Sequence, residues 1–207
     1  MKRRAPRETD AAGRAPQAAE PTPLRIIGGT LARRRLKYSG DPRTRPMKDR
    51  VREAVFNLVG PAVAGTHAID LFAGTGALGL EAISRGAARA TFLEQHFPTA
   101  QVIRENIAQL DLAGVTEVIP GNAFIWSRRL PPPDAMPWTV FCSPPYDFYV
   151  EREGDVLEML SRLLQAAPPA SIFVVEADAR FDFAHLPQPH SWDVRVYPPA
   201  HVGILRT

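Results

Sequence analysis

The chain has 207 residues, 45% of them hydrophobic, one cysteine and a formal net charge of +3. That length suits one domain with appendages, and the apolar content suits a buried core. No apolar run approaches the ~20 residues that cross a bilayer, and the lone Cys142 closes no intrachain disulfide; the histidines and the cysteine show no metal-ligand spacing. The expected setting is therefore a reducing cytoplasm, with no membrane partner and no metal.

Residues 1–23 start basic but have no apolar stretch behind them, so they read as a disordered basic tail and not as a secretory signal. Residues 24–52 hold ten Lys/Arg against only Asp41 and Asp49, a net of +8. Residues 53–207 hold ten Lys/Arg against seventeen Asp/Glu, a net of −7. A basic module beside an acidic body points to a polyanionic partner. Within that module, 24–40 reads as two short strands turning around Gly28-Gly29, a basic hairpin. Residues 45–60 read as a helix, with Val51, Val55, Leu58 and Val59 on one face and Gly60 as its stop. The chain is thus divided into a tail (1–23), a basic hairpin and helix (24–60) and a main domain (61–207).

From residue 67 onward strands and helices alternate. Strands are expected at 67–72, 90–95, 115–120, 138–142 and 171–177. Helices are expected at 77–86, 98–110 and 153–165, with a short one near 122–129. The last segment, 191–207, reads as a closing hairpin. Such alternation builds an α/β fold with a doubly wound, mostly parallel sheet, whose ligands bind beyond the carboxyl ends of the strands.

Three of those strand ends carry polar residues suited to one ligand. Between the first strand and its helix lies Asp70-Leu-Phe-Ala-Gly74-Thr-Gly76, whose glycines allow a tight turn and close approach. The Gly74-x-Gly76-x-x-Gly79 spacing fits a dinucleotide loop, but Asp70 would repel a pyrophosphate there. A carboxylate at that point suits the ammonium group of S-adenosylmethionine. Glu94, after the second strand, can accept both ribose hydroxyls, and Asn122, after the third, can accept from the adenine amine through its amide oxygen.

The fourth strand ends on Ser143-Pro144-Pro145-Tyr146. Proline ends ladder bonding and leaves carbonyls free. A nucleobase amine is a weak nucleophile whose lone pair is delocalised into the ring. Two acceptors on its N–H groups, the Pro144 carbonyl and the side chain at 143, favour the pyramidal form that attacks a methyl sulfonium. Tyr146 can stack on the base, and alignment of amine, methyl and sulfur supplies the rest.

The segments RIIGG, RPMKDRVREAVFNLV, DLFAGTGALGLEAISRGA, FLEQ, ENIAQL and SPPYDFY, in that order, resemble the RsmD family of bacterial methyltransferases. The resemblance spans roughly 24–207. It implies a class I S-adenosylmethionine-dependent fold with a seven-stranded Rossmann-like sheet. The implied reaction is methylation of a guanine exocyclic amine (N2) in small-subunit ribosomal RNA, by a monomer acting on that RNA or on an assembly intermediate. Asp70, Phe72, Gly74 and Gly76 would then hold the methionine part, Glu94 the ribose, and Asn122 with Ala123 the adenine. Ser143, Pro144, Pro145 and Tyr146 would hold the target amine. Arg25, Arg33, Arg34, Arg35, Arg45, Lys48, Arg50 and Arg52 would contact RNA.

The chain departs from the family pattern at three places. Ser143 stands where Asp is usual, Asn122 where Asp is usual, and Met47-Lys48 where two threonines are usual. An ionised acceptor makes roughly twice as strong a hydrogen bond as a neutral one, so Ser143 alone should activate the amine less. Two alternatives stay open on these grounds: an N6-adenine or N4-cytosine amino-methyltransferase, and a catalytically weakened RNA-binding or ribosome-assembly factor on the same fold.

Overall fold

The computed structural model describes residues 24–38, 40–41, 44, 46–130 and 135–207. The expected tail at 1–23 lies outside them, as does Arg45. Seven strands form one sheet: β1 (His67–Asp70), β2 (Arg89–Glu94), β3 (Thr116–Pro120), β4 (Trp138–Cys142), β5 (Ile172–Asp178), β6 (Asp193–Tyr197) and β7 (Ala200–Arg206). Their order is β3-β2-β1-β4-β5-β7-β6, parallel throughout β1–β5, with β7 antiparallel to both neighbours. The helices are α1 (Asp49–Val59), α2 (Ala77–Ser84), α3 (Phe97–Gln109), α4 (Ala123–Trp126), α5 (Phe148–Glu151) and α6 (Glu153–Ala166).

Period-two alternation divides the core between the two sheet faces. Ala68, Phe92, Phe141, Val174 and Ile204 share one cluster with α1, α2, α3 and the N-terminal segment. Their neighbours Ile69, Leu93, Val140, Val175 and Leu205 share the other with α4 and α6. Both faces are covered, which is why β4 reads as an unbroken apolar run and is buried at every position. Gly79 sets how closely α2 lies on the sheet: a Cβ there would fall 2.3 Å from the Phe92 ring.

The N-terminal hairpin is shorter than expected. It consists of a single antiparallel bridge, Arg25 with Arg35, flanked by bonds from Ile26 N to Arg34 O, Arg33 N to Ile26 O and Leu36 N to Leu24 O. Gly29, at φ 79°, sits against the Ser84 carbonyl, where any side chain would collide. The helix that follows starts at Asp49, three residues after Pro46, and buries Phe56 along with Val51, Val55 and Val59. Ile26, Leu36, Val55 and Phe56 belong to the same cluster as Phe141 and Val202, so this segment packs continuously with the sheet.

Candidate active site

A cavity of about 890 Å³ opens at the carboxyl ends of β1, β2, β4 and β5. This size fits the 300–1,000 Å³ range of small-molecule sites, and the place is where β1 and β4 lie side by side at the switch point of the sheet. Phe72, Gly74, Glu94, Asn122 and Ala123 line one side, Ser143, Pro144, Pro145, Tyr146 and Glu176 the other. The N-terminal segment contributes a third wall through Thr44, Pro46, Met47, Lys48 and Val51.

The turn after β1 is held by backbone bonds from Ala73 N to Leu93 O and from Gly76 N to Ala73 O, with Gly74 at φ 50° and Gly76 at φ 74°. Those angles favour glycine. Gly74 borders the cavity, whereas Gly76 is buried, its α-carbon facing Ile103. Glu94 is fixed from two sides: Oε2 accepts from Gly74 N at 2.8 Å and Oε1 from His96 N at 2.7 Å. Each carboxylate oxygen keeps a lone pair for a further donor.

Three expectations for this side need correction, the first being Gly76, which lies beneath the turn against Ile103 and does not line the cavity. Asp70 does not line the cavity. It is 2% exposed, and its Oδ2 accepts from Gly79 N at 3.2 Å, tying the end of β1 to α2. Burial pushes its carboxyl up to about 7; the Gly79 N–H opposes that rise and the charge of Glu94 adds to it. Any influence on a bound cation is therefore through space, not by contact. Asn122 also plays a different part from the expected acceptor. Its amide oxygen caps α4, accepting from Phe124 N at 2.8 Å and Ile125 N at 3.3 Å. What it has left to offer a ligand is the amide N–H₂, which also reaches Gln95 Oε1 at 3.5 Å.

On the other side, β4 delivers Ser143 and a buried Pro144 to the cavity wall. The Pro145 carbonyl accepts from Phe148 N at 2.9 Å and the Tyr146 carbonyl from Tyr149 N at 3.1 Å, bonds that turn the chain into α5. Among the described residues no donor reaches the Pro144 carbonyl. The Tyr146 hydroxyl donates to Glu176 Oε1 at 2.6 Å, and the Ser143 hydroxyl donates to Glu176 Oε2. Burial, reinforced by the Glu176 carboxylate, pushes the Tyr146 phenol up. Cys142 next door is fully buried and its thiol rises to about 12, which leaves it inert as a nucleophile. Phe72 meets Phe124 and Phe148 edge-on at 5.6 and 6.1 Å, and Arg152 lies 4.3 Å over Phe124.

Glu176 was missed in the sequence because it ends an apolar run, Ile172 to Val175, that reads as buried strand. The available signal was register. Cys142 pairs with Val175, so the next position on each strand brings 143 beside 176. An acidic residue at that step, inside β5 but just past its apolar run, faces whatever position 143 faces.

The basic residues divide into two groups. Arg33, Arg34, Arg35 and Lys48 are exposed. Arg25 is exposed and pairs with Asp49 at 3.2 Å; Arg50 is exposed and donates to the Pro198 carbonyl. Arg52 contradicts the expected RNA contact, because it is fully buried. Its guanidinium donates to the carbonyls of Arg25 (2.6 Å) and Met47 (3.3 Å) and to Asp49 (3.0 Å), and burial lowers its pKa. Beside it lies buried Glu81 of α2, another residue the sequence did not single out. Glu81 accepts from Ile27 N and Gly28 N, both at 2.7 Å, and from Arg85 at 2.8 Å, and lies 3.9 Å from Arg52. This buried cluster bolts the hairpin to α2.

The sheet order, the antiparallel β7 and a cavity at the β1/β4 switch point together define the fold of class I methyltransferases. A solved Escherichia coli structure titled "Putative methyltransferase yhhF" superposes with a TM-score of 0.73 at 30% identity, covering 90% of this chain and 99% of that one. An RNA methyltransferase from Salinibacter ruber, solved in complex with S-adenosyl-L-homocysteine, shares the fold (TM-score 0.58, 16% identity, 78% of this chain and 92% of that one). The chain belongs to the RsmD family: residues 24–195 match the family described as Conserved hypothetical protein 95. It is 32% identical over 154 residues to "Ribosomal RNA small subunit methyltransferase D" of Haemophilus influenzae, covering 73% of this chain and 77% of that protein. It is 41% identical over 123 residues to the protein of that name from Escherichia coli K12, covering 59% of this chain and 60% of that protein. The matched segment thus spans about 60% of the length of the E. coli relative. Among the described residues no helix is long and apolar enough to cross a membrane, and no group of three or more His, Cys, Asp or Glu could hold a metal ion.

Proposed function

We propose that the protein transfers a methyl group from S-adenosylmethionine to the exocyclic N2 amine of a guanine in small-subunit ribosomal RNA. One observation carries this reading: a single cavity joins the Gly74–Glu94 wall to the Ser143–Tyr146 wall, in a family whose relatives are named as small-subunit ribosomal RNA methyltransferases.

The residues present suit the cofactor. Glu94, its carboxylate fixed by two backbone N–H groups, is placed to accept the ribose hydroxyls. Phe72 and Gly74 border the methionine part, and Ala123 with the Asn122 amide N–H₂ borders the adenine. When bound, the cofactor supplies an electrophilic methyl on a sulfonium. This chain's own residues do the remaining work. The Pro144 carbonyl and Ser143 Oγ accept from the target amine, holding its nitrogen toward the methyl. Tyr146 stacks on the base, worth ~1–3 kcal/mol. A paired guanine hides this amine, so the substrate is an unstacked base, as in an assembly intermediate. The exposed Arg33, Arg34 and Arg35, with Arg25, Lys48 and Arg50, supply phosphate contacts from the 24–60 extension.

The test is methyl transfer from labelled cofactor to small subunits purified from cells lacking the gene, followed by nucleoside mass spectrometry. N2-methylguanosine is the expected product. N6-methyladenosine or N4-methylcytidine would move the reading to a different amine, and cofactor binding without transfer would favour the assembly-factor alternative. Tyr146→Ala is expected to lower transfer about 5- to 150-fold, the equivalent of the lost stacking, with cofactor affinity within twofold of the parent.

A further inference from the structure

A serine hydroxyl both donates and accepts, so Ser143 by itself does not tell an amine from a carbonyl. Glu176 removes that ambiguity. Its two oxygens take up the only proton of Ser143 and the only proton of Tyr146. With those protons committed, both hydroxyls face the cavity as acceptors only. Pro144 adds a carbonyl with no donor among the described residues. The wall therefore presents acceptors and no side-chain hydroxyl donor, a pattern that fits an –NH₂ group and repels a carbonyl.

We propose that Glu176 is the positioning residue of the reaction, acting through Ser143 to orient the target amine and then to receive its proton. The inference rests on the methyltransferase reading above. As the amine nitrogen bonds to the methyl carbon, the carbon–sulfur bond breaks and its electron pair stays on sulfur. The nitrogen, now cationic, passes a proton to Ser143 Oγ while the Ser143 proton moves to Glu176 Oε2. The carboxyl then releases it to solvent, and no other reactant is needed. Glu176 thus restores the charge that an aspartate at 143 would carry, from the neighbouring strand. The ionisable groups that interact with it or with its partner Tyr146 are Tyr146, Tyr149 and Asp178, and the same cavity wall also carries Lys48, Glu94, His96, Asp147 and Arg180.

The experiment is single-turnover methyl transfer to small-subunit RNA as a function of pH. In the parent protein the rate should fall on the acid side, because a protonated Glu176 no longer accepts. Glu176→Gln should lower the plateau rate about 100-fold, within the range for general acid–base groups, and abolish that acid limb with cofactor affinity within twofold. Ser143→Asp should be slower than the parent, because two carboxylates would then adjoin. In the Glu176→Gln background the same change should restore the rate at least tenfold. A Glu176→Gln rate within threefold of the parent with the limb intact, or no recovery in the double variant, overturns the proposal. Should Glu176→Gln lose cofactor binding, Ser143→Ala carries the test: a lost acid limb supports the relay and an unchanged one refutes it. If the parent protein itself methylates no RNA, the broader reading fails first, and that outcome is read separately.

Discussion

Replacing Glu81 by Ala should loosen the N-terminal hairpin more than any single surface change. The carboxylate accepts two backbone N–H groups, those of Ile27 and Gly28, and faces Arg85 and the fully buried Arg52. Each lost backbone bond costs about 1 kcal/mol net. Removing one partner of a buried charge cluster typically costs about 3–5 kcal/mol, because the remaining charge is stranded. Asp49 still pairs with Arg52, which holds the sum to about 3–5 kcal/mol rather than more. For a protein of this size that corresponds to a Tm lower by about 6–20 °C. Calorimetry measures it. Trypsin adds a local readout, since the freed hairpin should be cut faster at Arg33–Arg35. A Tm within 2 °C of the parent together with unchanged cleavage would refute the assignment of Glu81 as the anchor.

Other expectations concern separate parts of the molecule. Folding raises the Asp70 pKa from 3.8 to about 7, so the folded state binds this proton more tightly and stability is lost as pH rises through that window. Asp70→Asn should remove the loss and be up to about 4 kcal/mol more stable than the parent at pH 8, with a smaller advantage at pH 4; equal differences at both pH values in urea unfolding would count against it. Gly79→Ala should cost about 1–3 kcal/mol through overpacking on Phe92, read as a lower urea midpoint, and no change would mean that α2 can back away from the sheet. Replacing Arg33, Arg34 and Arg35 together by Ala should flatten the salt dependence of RNA binding by about 2 in log–log slope. A slope unchanged in filter binding would place the RNA elsewhere.

The parts of this protein legible in the sequence were those with a period. All seven strands and the longer helices came from alternation and turn residues, and β4 matched the expected 138–142. The glycine turn and the Ser143–Tyr146 loop were placed on one cavity because strand ends in such a sheet converge. What stayed hidden depended on where side chains point across elements. Arg50 and Arg52 look alike in sequence, yet α1 turns one to the surface and the other under the hairpin. Asp70 reads as a ligand because it ends a strand, but the period of two sends it below the turn to Gly79. Asn122 has an oxygen suited to adenine, and the start of α4 uses it first. Glu81 and Glu176 matter through partners 53 and 33 positions away, a relation no local pattern carries.

The pairing of β4 with β5 has a corollary for how this protein can vary. Ser143 and Glu176 sit on adjacent rods of the sheet, one step beyond the matched Cys142 and Val175. Inserting or deleting one residue within β4 would turn Ser143 to the opposite face, and within β5 Glu176, while leaving the inventory of amino acids almost intact. Exchanges of side chain at this spot can be compensated across the gap, but a change in length cannot.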